Sequence, residues 1–161
     1  MQAIPLHDST RLLAPRRAFL IRAEAHASLS ATACYHELVS FCGTVALQSE
    51  LAEFPFRSVA LDLLSIYAFG AVLEMQRTGR INIREGTAVF RRLLCEFFGC
   101  SEKGAARREK ALYLARNEAV SRFHWVMQRG GNAFLAWQLA PATLNGADFR
   151  SLLESLRTGS R

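Results

Sequence analysis

The residues best placed to do chemistry are cations. Between Arg77 and Arg129 the chain carries 12 basic and 5 acidic residues, a net +7, whereas the remainder carries 8 basic and 9 acidic, a net −1. An excess gathered into one third of the sequence is the footprint of a patch for phosphates or an acidic partner, not of a uniformly basic protein. The candidates are Arg84, Arg91 and Arg92 on one predicted helix and Lys103, Arg107, Arg108, Lys110 and Arg116 on the next. Their chemistry would be contact with a nucleic-acid backbone, largely electrostatic and strongly salt-dependent. The competing pattern is pairing with Glu85, Glu96, Glu102 and Glu109 on the same helices, as neighbours one turn apart commonly do. The skew to 18 Arg against 2 Lys fits a GC-rich genome and does not itself argue for phosphate recognition.

Leu94 to Lys110 shapes these cations locally. Leu94, Cys95 and Phe98 end one helix, Gly99 supplies a turn residue, and Ser101 caps a second helix that begins with Lys103, Arg107, Arg108 and Lys110. The stretch resembles a helix-turn-helix, whose second helix carries its N-terminal side chains into the major groove. It departs from that motif at Arg108, where an apolar residue normally turns back onto the first helix, and at Gly104, which weakens the first turn. In size and class only, the chain is similar to small, basic, all-helical subunits of RNA-guided complexes.

Other chemistry has less support. Cys34-x-His36 splits its side chains between sides of a helix, and neither the Cys34/Cys42 nor the Cys95/Cys100 spacing suits structural zinc. His26, His36 and His124 could act as bases, yet no nucleophile elbow, phosphate loop or paired-carboxylate spacing accompanies them. The sequence therefore predicts no metal, no cofactor and no enzymatic activity. Four cysteines without paired spacing read as reduced thiols of a cytoplasmic protein. Arg16-Arg17 resembles an export signal, but Arg22, Glu24 and His26 interrupt the apolar run such a signal needs. Leu63 to Leu73 is too short for a membrane span.

The elements that must hold these residues are helices. No segment alternates with period two, so the expected class is all-α, a bundle of five to seven helices forming one domain over 1–161, with 1–14 and 158–161 loosely ordered. Leu20, Ala27, Cys34 and Phe41, interleaved with Ala23, Ala31, Leu38 and Val45, predict one long alanine-rich helix, with a break expected at Gly43. Residues 56–77 keep polar side chains to a narrow stripe, as a central helix surrounded by others would. Asn82 and Glu85 have the form of a capping box. The helix beginning at Ser101 is expected to run through Met127 to Gly130-Gly131. A short helix over 133–139 and a last one over 148–156 follow.

The functional expectation is a non-enzymatic nucleic-acid-binding protein, a regulator or small subunit of a larger nucleoprotein complex, acting through the 84–116 face. The alternative is a helical adaptor that binds another protein through an apolar and basic surface. The aromatic surplus of Phe54, Phe56, Trp125, Phe134 and Trp137 supports the alternative, or a homodimer.

Overall fold

The second helix is the centre of the molecule. In this computed structural model, which describes residues 14–118, 121–144 and 146–158 and their side chains from residue 30 onward, Leu63 to Val72 are all buried. Ten successive buried residues cover every direction around a helix of about 3.6 residues per turn, so neighbours must surround it. The described residues form six α-helices and no strand: α1 (Ala14–Gln48), α2 (Arg57–Arg77), α3 (Ile83–Glu96), α4 (Glu102–Ala115), α5 (Arg122–Leu139) and α6 (Ala147–Thr158). The all-α class is as the sequence predicts. By length and composition α2 would suffice to cross a membrane, but its apolar side chains are spent on the protein core.

The local stop and start signals lie where the sequence puts them. After α2, Gly79 takes φ 72°, its N–H donates to the Gln76 carbonyl, and the Arg80 N–H donates to Met75 at 2.9 Å. This left-handed turn satisfies carbonyls that the helix end leaves open. Asn82 accepts from the Glu85 N–H at 2.9 Å while the Glu85 carboxylate accepts from the Asn82 N–H at 2.8 Å, a complete capping box. Gly99, at φ 70°, ends α3, and the Ser101 hydroxyl accepts from the Gly104 N–H to begin α4.

Three expectations need correction. α1 runs through Gly43 without a break, because an isolated glycine lowers helix propensity without ending the helix. The helix from Ser101 stops at Ala115 rather than at Gly130, and Ser121 caps a separate α5 by accepting from the Phe123 N–H at 3.2 Å. Gly130-Gly131 then lie inside α5, which absorbs the short helix expected over 133–139. These glycines are packing residues: a Cβ on Gly130 would stand 1.9 Å from the Tyr67 carbonyl oxygen, and one on Gly70 would stand 1.9 Å from that of Met127. α2 and α5 therefore meet backbone to backbone, the tightest seam in the fold.

Around that seam Phe41 of α1 packs on Tyr67, Phe134 and Trp137. Phe149 of α6 meets Tyr67 with ring centroids 5.1 Å apart. Of the aromatic surplus, Phe134 is wholly buried and Phe54 and Trp137 partly so, while Phe56 and Trp125 remain at least half exposed. The loosely ordered ends expected at 1–14 and 158–161 fall almost entirely outside the described residues.

Candidate nucleic-acid interface

α3 and α4 both fold back over α2, whose Phe69 ring lies 4.8 Å from those of Phe90 and Tyr113. Gln76 donates to the Tyr113 hydroxyl at 2.6 Å, which ties the far end of α4 to the same helix. On α4 the buried side consists of Ala105, Glu109, Leu112 and Ala115. Lys103, Arg107 and Lys110 stand on the opposite side, all exposed and within about 60° of one another around the helix axis. Leu114, 62% exposed, continues their row.

Acidic partners divide the 12 cations of the basic region into two sets. Arg77, Arg80, Arg91, Arg92, Arg108 and Arg129 form ion pairs, with Glu74, Glu37, Glu109, Glu96, Asp62 and Asp148 respectively. Arg84, Lys103, Arg107, Lys110, Arg116 and Arg122 pair with no described acid. Four of the six acids, Glu37, Asp62, Glu74 and Asp148, come from outside the region. Apart from Glu74, three residues from Arg77, nothing local in the sequence marks those partnerships; Arg108 and Asp62, for example, are 46 residues apart. The available hint was Asp62 itself, a carboxylate on a mostly apolar helix.

Of the eight sequence candidates, Arg91, Arg92 and Arg108 are thus occupied in holding the fold. Arg91 donates to Glu109, whose side chain is 8% exposed, and so joins α3 to α4. Arg108 reaches α2, donating to the Asp62 carboxylate at 2.8 Å and to the Asp62 carbonyl at 3.0 Å. Its Nε is buried without a hydrogen-bond partner among the described residues. The position that departs from a helix-turn-helix in sequence therefore also departs in structure: the inward residue is a cation fastened to a third helix. Arg84 is exposed at the start of α3, and Arg116, partly buried, lies just beyond α4 with its guanidinium 5.0 Å from the Tyr113 ring centroid. Arg122, exposed in the first turn of α5, completes the unpaired set and lacked any distinguishing sequence signal.

Arg92 makes a small network with α1. Its guanidinium lies 3.9 Å from the Tyr35 ring centroid and donates to Glu96 at 2.8 Å, while the Tyr35 hydroxyl donates to the other Glu96 oxygen at 2.5 Å. The bond from Arg92, then that from Tyr35, holds the Glu96 carboxyl below its ordinary pKa, and burial pushes the Tyr35 hydroxyl up. A depressed folded-state value stabilises the protein above the carboxylate range, and this contribution is lost as pH falls through the lowered value. Urea unfolding between neutral and acid pH is therefore expected to show a stability loss at the acid end that Glu96→Gln reduces. An unchanged pH profile in the variant would contradict the assignment.

Cys34 and Cys42 are buried, which raises both thiol pKa values, and Cys95 and Cys100 are partly buried. Burial of Cys34 and Cys42 favours their unreactive protonated form. Among the described residues no three potential ligands gather in a way that could hold a metal. His36 is exposed beside Tyr35. The His124 Nδ1 is 3.1 Å from the Arg116 carbonyl, which only accepts, so Nδ1 carries a proton there. The side chain of His26 lies outside the described residues. No protein family, no curated protein and no solved structure matches this chain.

Proposed function

We propose that the protein binds the phosphate backbone of nucleic acid through the outer face of α4, without catalysis, as a regulator or a small subunit of a nucleoprotein complex. The observation that carries this reading is the row of Lys103, Arg107 and Lys110, three exposed cations on one helix face with no acidic partner among the described residues. Uncompensated cations on a helix backed by the protein core can meet successive phosphates at little ordering cost. Arg84, on α3, and Arg116, at the C-terminal end of α4, are the other candidates without a described acidic partner; Arg91, Arg92 and Arg108 contribute less because acids already hold them. The test is fluorescence anisotropy with duplex DNA, single-stranded DNA and RNA across a salt series. Binding that weakens steeply with salt is expected, and absence of binding at low salt would overturn the reading.

A second reading, an adaptor for an acidic protein surface, draws on Leu114, which adds an exposed apolar side chain to the cationic row. A partner recovered by the intact protein after nuclease treatment and lost on Leu114→Glu would favour it over the first.

A further inference from the structure

A second recognition element lies beside the C-terminal end of α4. There α2, α5 and the turn after α4 enclose a cleft of about 400 Å³, within the size range of small-ligand sites. Its apolar lining comes from Gly70, Gly131, Leu73 and Met127. Gly70 and Gly131 contribute backbone to the lining where α2 and α5 meet. The polar lining includes Asn117, Gln128 and Asn132, whose side-chain amides make no hydrogen bond with a described residue. Each amide offers both donors and an acceptor, the groups that read the edge of a nucleobase.

The charges are also sorted. Glu74 is the carboxylate in the lining, and Arg77 holds both its oxygens, at 3.0 and 2.9 Å from Nε. Arg116 has no acid partner among the described residues and supplies a positive charge that no carboxylate there neutralises. His124, its Nδ1 proton engaged by the Arg116 carbonyl, keeps Nε2 as an acceptor when neutral. An apolar wall, free amides and one unpaired guanidinium match a planar heterocycle joined to a phosphate.

We propose that this cleft binds one nucleotide unit, its base against the apolar wall and the amides, its phosphate on Arg116. The inference deepens the α4 reading and rests on it for the source of that nucleotide: a strand following Lys103 to Lys110 would turn around the C-terminal end of α4 to meet Arg116 on the other side of the helix, and only an unpaired base can enter. The favoured ligand is therefore single-stranded, and the same chemistry would admit a free nucleotide.

The test uses the full chain, ¹⁵N-labelled, with nucleoside monophosphates, a short single-stranded oligonucleotide and a duplex of the same length. The side-chain amide resonances of Asn117, Gln128 and Asn132 should shift with the monophosphates and the single strand but not with the duplex. Asn132→Glu, at an exposed position where glutamate is the better helix former, should weaken single-strand binding about tenfold, the affinity equivalent of one good polar contact. Arg116→Gln should likewise weaken single-strand binding, and Asn132→Glu should leave duplex binding unchanged. Unshifted amides, or wild-type single-strand affinity in both variants with helicity intact, would overturn the cleft while leaving the α4 reading in place. Monophosphate binding without binding to either polymer would instead remove the α4 reading, and with it the strand as source, while supporting the cleft as a site for free nucleotides.

Discussion

Gly130→Ala is expected to destabilise the protein by about 3 kcal/mol, the upper part of the usual range for overpacking. The added methyl would stand 1.9 Å from the Tyr67 carbonyl oxygen and 2.7 Å from its carbon. Backbone atoms in a buried helix cannot rotate aside as a flexible side chain can, so α2 and α5 would have to separate. Separation would loosen the contacts that bury Tyr67, Met127 and Phe134. For a chain of this length the expected fall in Tm is about 6 to 12 °C. Gly43→Ala is the control: a Cβ there meets nothing within 4 Å, so alanine should stabilise α1 by roughly 0.5–1 kcal/mol through helix propensity. Paired thermal and urea melts check both signs. Equal, small effects at the two positions would mean that the seam is looser than its geometry.

The second large effect concerns binding. Replacing Lys103, Arg107 and Lys110 together by glutamine should reduce the slope of log K against log salt by about 2.7 if each contacts one duplex phosphate, at about 0.9 per contact. With roughly 1 kcal/mol lost per charge-assisted contact, affinity at low salt should fall about 100-fold. All three positions are exposed, so folding should be little affected. A matched replacement of Arg91, Arg92 and Arg108 should give the reverse result, a modest loss of stability with a nearly unchanged salt slope. If the second set governed the slope, the ion pairs with Glu109, Glu96 and Asp62 would have to open on binding, and the α4 row would lose its claim.

What the sequence made legible was whatever a few neighbouring residues decide. Asn82 with Glu85, Ser101, Gly79 and Gly99 all act within one turn of chain, and each stands where its chemistry places it. Gly130-Gly131 shows the opposite case. In sequence a glycine pair reads as a helix end, but here tertiary packing outweighs propensity because only glycine admits the backbone of α2. The basic region was likewise visible as a count, whereas its division into paired and unpaired cations was not, since four of the six ion pairs join residues 18 or more positions apart. The cleft was illegible for the same reason: Gly70, Arg116, His124 and Asn132 become neighbours only through the folding of three elements.

The seam between α2 and α5 joins segments separated by α3 and α4, so those two helices form an excursion from the main body. α4 buries only two alanines, one leucine and a carboxylate already paired to Arg91. So few buried apolar groups leave it among the less firmly held elements. Its opening need not break the glycine contacts that define the fold. The candidate binding surface is consequently built on a part whose local stability can change independently of the whole, and a ligand fastened along it would act as a splint for that segment.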